Sequence, residues 1–337
     1  MISAKYRLVN PFSIERHFED ISYDEGVIVK PTYLSICKAD LRYFLGQRDE
    51  TVLRQRLPLV LIHEAVGVVV NDSTGELKKG EKVVMLPNIP GTGDVYQENY
   101  RLDSKFRSSR ADGFMQELMC LDKYNVVPYK NIPDDVAAYT EFISVGVHAV
   151  NSFLSQVKTP TDSIGVWGDG ALGYVVCCLL KKYLPNAKVT IIGISPARLE
   201  MFSMADARLT VTQLEKKAQF DHVFECVGGQ ASGNAISQMI DVIRPEGTMM
   251  LLGVSEEPVP VNTRMVLEKG LTMLGRSRSR KEDFCEAVRL LEEDPKLTKR
   301  LSLLISKDFV IKSIKDIEQA FEAARTAEYK VVMKWKI

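Results

Sequence analysis

The chain is poor in several things, and each shortage removes a class of explanation. It has six cysteines in 337 residues, Cys37, Cys120, Cys177, Cys178, Cys226 and Cys285, and no Cys-x-x-Cys pair. That spacing excludes a disulfide framework and a cysteine-cluster zinc site, so any metal here needs mixed ligands. Charge of one sign is not in excess either: Lys+Arg and Asp+Glu both number 44. With no net basic field, neither nucleic acid nor a membrane surface is expected as a partner. No uncharged apolar run approaches the roughly 18 residues of a membrane span, and the opening MISAKYRLVNPF has no signal-like apolar core. The expectation is a cytoplasmic protein that acts on small molecules.

What is present divides in two. Up to about residue 143, short β-like runs such as GVIVKPTYLS, EAVGVVV and EKVVMLP are broken by turns, which predicts a β-rich domain. From residue 163 the rhythm becomes strand, helix, strand: SIGVWG, ALGYVVCCLLKKYL, KVTIIGI, DHVFECVG, ASGNAISQMIDVI, TMMLLGV. Such alternation specifies a doubly wound parallel α/β sheet with helices on both faces. The tail ending YKVVMKWKI is too short for a domain of its own, so it is expected to return to the first one. The predicted division is residues 1–143 with 277–337 against 144–276.

The segment SIGVWGDGALG carries Gly168, Gly170 and Gly173 after an apolar strand and at the start of an apolar helix, a dinucleotide-binding fingerprint. The first glycine permits the turn, the second lets a pyrophosphate approach the backbone, and the third lets helix and strand pack closely. Gly168, Gly170, Ala171, Leu172 and Gly173, with Gly253 of LLGV, are the candidate cofactor-binding positions. An NAD site wants an acidic residue about 20 positions further on, to hold the ribose hydroxyls. Gly193 stands there instead. Ser195 and Arg198 can donate to a 2′-phosphate, so NADP(H) is the expected cofactor; a solvated Arg198 is the plain alternative.

In LIHEAVGVVV, His63 and Glu64 sit at the mouth of a buried strand, where a carboxylate is costly without a partner. A salt bridge or capped strand end is one reading. A metal is the other: Cys37 in YLSICKADLRYF and Glu141 in AAYTEFISVGVHAV complete a set of S, N and O ligands that suits zinc. Basic residues gather as well. Lys38 and Arg42 follow Cys37, and Arg276, Arg278 and Arg280 alternate in LGRSRSRKEDF, so on an extended segment all three would face one way, toward an anion such as a substrate phosphate.

The segments SICKADLRYF, IHEAVGVV and TEFISVGVHAV, with GDGALG, FECVGG and LLGV in order, resemble the zinc-containing medium-chain dehydrogenases, in their polyol dehydrogenase branch. The resemblance implies a GroES-like catalytic domain joined to a Rossmann cofactor domain. It implies one catalytic zinc on Cys37 and His63, with Glu64 as a nearby or exchanging ligand, Glu141 as the remaining one, directly or through water, and Asp40 orienting His63. Within the branch it points to NADPH-dependent reduction of D-ribulose 5-phosphate to D-ribitol 5-phosphate for the CDP-ribitol of teichoic acids or capsules. A homodimer, with a tetramer as the alternative, and a functional link to a cytidylyltransferase follow from it too.

Three departures from that pattern are visible. PNIPGTGDVYQENYRLDSKFRSSRADGF has no cysteine, so the structural zinc lobe of many relatives has no ligands here. Ala39 stands where the family usually has Ser or Thr to pass a proton, and Ile62 replaces the glycine of Gly-His-Glu. The rival readings are a dehydrogenase of unphosphorylated polyols of the sorbitol type, and a zinc-free NADPH quinone or enoyl reductase or sensor of the same fold.

Overall fold

The computed structural model describes residues 1–21, 26–93, 95–215 and 218–337. The chain separates into two compact units, Met1–Ser144 with Arg278–Ile337, and Val145–Ser277.

In the first unit the β-branched runs read from the sequence are paired. Among the described residues, a seven-stranded sheet runs in the order Val126–Pro128, Lys82–Met85, Glu64–Asp72, Val27–Ile36, Lys330–Trp335, Ile305–Ile311, with Met119–Leu121 also on Val27–Ile36. The tail strand Lys330–Trp335 lies antiparallel to Val27–Ile36 and parallel to Ile305–Ile311. The tail strand thus joins Val27–Ile36, from the N-terminal part of the chain, to its near neighbour Ile305–Ile311 at the sheet's edge. A hairpin, Ile2–Asn10 with Ser13–Asp20, forms a smaller sheet with Leu59–Val60. The core between them is aromatic at its edges: Phe44 stacks on Phe321 at 4.7 Å and Tyr6 meets Trp335 edge-on at 5.4 Å.

The second unit holds, among the described residues, a six-stranded sheet in the order Ala207–Thr210, Lys188–Gly193, Ser163–Trp167, Phe220–Glu225, Ile243–Leu251, Thr272–Gly275. Every pairing is parallel. The order reverses between Ser163–Trp167 and Phe220–Glu225, the topological switch point at which such sheets bind ligands. The helix Ala171–Tyr183 follows the first strand and buries Tyr174 to Leu180 without interruption. The strand Ala207–Thr210 was not anticipated: three half-exposed residues and an exposed Arg208 on an edge leave little apolar signal.

Candidate active site

Cys37 ends the strand Val27–Ile36 and precedes the helix Lys38–Phe44. Asp40, in that helix's first turn, is fully buried. Its carboxylate accepts the backbone N–H of Cys37 at 3.3 Å and of Ile62 at 3.1 Å, meets His63 Nδ1 at 3.1 Å, and accepts the Ser108 hydroxyl. With Nδ1 engaged, Nε2 is the imidazole atom left for a metal. Ligand atoms of Cys37, His63 and Glu64 all lie within 4.8 Å of one another. Burial pulls the His63 pKa down, but Asp40 and Cys37 outweigh it and hold it well above the ordinary value. The pocket therefore favours positive charge.

Glu64 is wholly buried, and its two oxygens differ. Oε1 accepts from Lys330 Nζ at 2.5 Å, while Oε2 has no hydrogen-bond partner. An orphaned carboxylate oxygen beside a cysteine and an oriented histidine is the donor set that a tetrahedral zinc completes. Of the two readings of the polar pair in LIHEAVGVVV, the salt bridge is formed, through one oxygen of Glu64, and it leaves the other oxygen available to a metal. Lys330 was missed in the sequence, being 266 positions from its partner. It is buried on the tail strand, with its ammonium 4.1 Å from the centre of the Phe142 ring. Burial alone would lower its pKa; Glu64, then Cys37 and Glu141, raise it.

Glu141 opens the helix Thr140–Gln156 and is buried, though it is not one of the three clustered ligands. Burial first, with Glu64's charge adding and those of His63 and Lys330 opposing, pushes its pKa up to about 7. Ile62 has φ of 72°, a left-handed backbone that a β-branched residue adopts only under strain. That explains the glycine of the family's motif. Here the strained turn is pinned on both sides, by Ile62 N–H on Asp40 at 3.1 Å and by Phe114 N–H on Ile62 O at 2.8 Å. The cysteine-free stretch also reaches the site: Ser108 holds Asp40, and the Phe106 ring lies 5.3 Å from that of His63. Asp94 in that stretch lies outside the described residues.

The basic residues fare unequally. Lys38 and Arg42 are four apart on the helix that follows Cys37 and so share one face. The alternating arginines do not. Arg278 takes φ of 56°, which ends the extended run. Arg276 donates to Ser152 Oγ at 2.5 Å and to Gly275 O at 2.7 Å. Arg280 caps the helix Lys281–Glu293, its guanidinium 3.7 Å from Asp283 and 3.8 Å from Glu282. Arg280 thus faces carboxylates and Arg276 a hydroxyl and a carbonyl, and the same-facing arrangement expected from the sequence is not formed.

In the second unit, Gly168 has φ of 115°, and a Cβ there would meet Cys226 O at 2.7 Å. A Cβ on Gly173 would drive into Gly168 O, whereas one on Gly170 would meet nothing within 4 Å. The second glycine thus faces open space, as an approaching pyrophosphate requires, and Ala171 and Leu172 form the first turn of the helix behind it. A cavity of about 390 Å³ at the switch point is lined by Gly168, Asp169, Gly193, Arg198, Cys226 and Asn234, among others. Gly253 has its own partner: Glu225, buried at its strand end, accepts its N–H at 2.8 Å and those of Val227 and Gly228 at 2.8 and 2.9 Å. Glu225 thus joins FECVGG to LLGV, a link between two distant segments that no local pattern marks. Ser195 accepts from Arg198 N–H at 3.4 Å, and no helix among the described residues is long and apolar enough to cross a membrane.

These features have counterparts in known proteins. The chain matches the alcohol dehydrogenase GroES-like domain over residues 23–134 and the zinc-binding dehydrogenase family over residues 171–293. It is 46% identical to ribulose-5-phosphate reductase 1 of Staphylococcus aureus, covering 99% of both chains, and 44% identical to the ribulose-5-phosphate reductase of Bacillus spizizenii, covering 100% of both. Its fold superposes on the crystal structure of S. aureus TarJ in complex with NADPH with a TM-score of 0.90, at 42% identity over 100% of each chain. A half-buried cysteine beside a buried histidine and glutamate in a GroES-like unit, a Rossmann turn in the other, and this full-length identity place the chain in the zinc-binding dehydrogenase family, beside the ribulose-5-phosphate reductases.

Proposed function

We propose that the chain is an NADPH-dependent zinc reductase that converts D-ribulose 5-phosphate to D-ribitol 5-phosphate. The observation that carries this reading is the 46% identity to a ribulose-5-phosphate reductase along the whole chain. Cys37, His63 and Glu64 are the residues that would hold zinc, with Glu141 as a further or water-bridged ligand. When bound, zinc supplies a Lewis acid for the ketose carbonyl and NADPH supplies the hydride. Asp40 fixes the His63 ring, and Lys330 neutralises one oxygen of Glu64, so the ligand set carries less net negative charge than its cysteine and carboxylates alone suggest. Ala39 has no hydroxyl to relay a proton, which leaves water as the donor. Gly168, Gly170, Ala171, Leu172, Gly173 and Gly253 would seat the dinucleotide, with Ser195 and Arg198 at the 2′-phosphate.

Arg42, with Lys38 beside it, is the first candidate for the substrate phosphate, ahead of Arg276 and Arg280, whose partners are described above, and of Arg278 at its left-handed turn. The product fits a cytidylyltransferase reaction for CDP-ribitol, used in teichoic acids or capsules, and a homodimer in the cytoplasm is the expected form. The test is steady-state turnover of ribulose 5-phosphate against ribulose, each with NADPH and NADH. The phosphorylated ketose with NADPH should be strongly preferred, and Arg42→Ala should raise KM for it by about ten- to a hundredfold, on the order of 1.5–3 kcal/mol. Equal turnover of unphosphorylated polyols, or full activity after zinc removal, rejects the reading.

A further inference from the structure

Asp169 lies between the first two glycines of the fingerprint. It is buried, and its carboxylate does not point away from the turn. Oδ2 accepts two backbone N–H groups from the end of the second strand, Ile194 at 2.9 Å and Ser195 at 2.7 Å. Oδ1 lies 3.6 Å from Arg198 Nη1, across a guanidinium that is 38% exposed. The side chain fills the place that a Cβ on Gly193 would need: such an atom would meet Asp169 Cβ and Oδ2, each at 2.6 Å. Gly193 is therefore more than a missing acid. It is the gap through which Asp169 reaches the next loop.

We propose that Asp169 is a positioning residue for the adenosine 2′-phosphate, holding the 194–195 backbone and Arg198 so that the Ser195 hydroxyl and the guanidinium present themselves to that group. The idea rests on the NADPH reading above and deepens it. A carboxylate at the strand end would repel the phosphate at close range, but Asp169 spends one oxygen on two amides and sets the other against a guanidinium. Its charge is thereby balanced locally, and the loop it fastens lines the 390 Å³ cavity through Gly193, Ile194 and Arg198. The arrangement also forbids the simple conversion to NADH use. Gly193→Asp alone would place a second carboxylate into Asp169, at a distance no relaxed side chain tolerates.

The test measures NADPH and NADH binding directly, by titrating cofactor fluorescence with zinc-loaded enzyme and no sugar, so its outcome does not depend on the sugar substrate. Asp169→Ala should weaken NADPH binding by about tenfold and NADH binding by less than about threefold, with Asp169→Asn in between. The exchange Asp169→Gly with Gly193→Asp should turn the preference toward NADH, while Gly193→Asp alone should bind both cofactors poorly. Circular dichroism and zinc content separate misfolding from loss of the seat. If Asp169→Ala or Asp169→Asn binds NADPH as well as the wild type or better, the carboxylate is neutral or repulsive toward the phosphate and the proposal is overturned. It is overturned equally if Gly193→Asp alone shifts the preference as far as the double exchange. A wild type that binds NADH as tightly as NADPH removes the cofactor reading and this inference together, and leaves the sugar specificity to its own assay.

Discussion

At the scale of single residues, the proposed zinc centre depends on atoms that cannot be exchanged for near neighbours. Cys37→Ser keeps the size of the side chain but removes the thiolate, so the protein should fold with its zinc lost, against about one zinc per chain in the wild type by elemental analysis. Asp40→Asn should keep the fold and weaken zinc by roughly ten- to a hundredfold in chelator competition, because the amide orients His63 less firmly. Lys330 makes a different claim. In zinc-free protein, Lys330→Met would leave the buried Glu64 without its hydrogen-bonded ion-pair partner, at a cost of about 3–5 kcal/mol in urea unfolding. An unchanged midpoint would mean that the Glu64–Lys330 pair is not formed in solution.

At the scale of elements, the fingerprint turn separates glycines that the fold needs from one that the ligand needs. Gly170→Ala adds a methyl to open space, so the melting temperature should stay within a degree or two while the NADPH KM rises about tenfold or more. Gly173→Ala should lower the melting temperature as well, since its methyl meets the Gly168 carbonyl. In the N-terminal hairpin, Lys5 donates to Glu19 at 2.6 Å and Arg7 does so at 2.6 Å, and these bonds hold the Glu19 pKa down from 4.5 to about 2. A depressed carboxylate stabilises the fold above its unfolded pKa, and the contribution fades as pH falls from about 4.5 towards 2. Glu19 is 40% exposed, so salt should screen part of the effect. Glu19→Gln should accordingly be less stable than wild type at pH 7 and nearly equal to it near pH 2.

At the scale of the whole molecule, the parallel sheet of the second unit ends in Thr272–Gly275, an edge strand whose outer side pairs with no strand among the described residues. Edges of this kind invite a second strand. Homodimerisation through this edge is expected, and sedimentation at micromolar concentration should show twice the chain mass of 37.9 kDa. A monomer under those conditions would show that the edge is left open.

The sequence by itself determined the kinds of chemistry present. The fingerprint glycines are legible because their meaning lies in residue type within a dozen or so neighbours, while Cys37, His63, Glu64 and Glu141, spread over 104 positions, read as one donor set only through the family resemblance of their separate segments. The parallel sheet is legible too, since its apolar runs alternate with helical ones. Tertiary structure alone decided what neutralises and positions those groups. Lys330 is 266 residues from Glu64, Ser108 is 68 from Asp40, and Asp169 is 26 from the Ser195 amide it holds. No local pattern marks such pairs, because buried charge is balanced by whatever the folded chain brings within hydrogen-bond reach. The common face expected of the arginine series is not formed, for the opposite reason. Alternation specifies a common face only on an extended backbone, and the left-handed turn at Arg278 and the helix start at Arg280 follow from how the chain leaves one unit and begins a helix of the other.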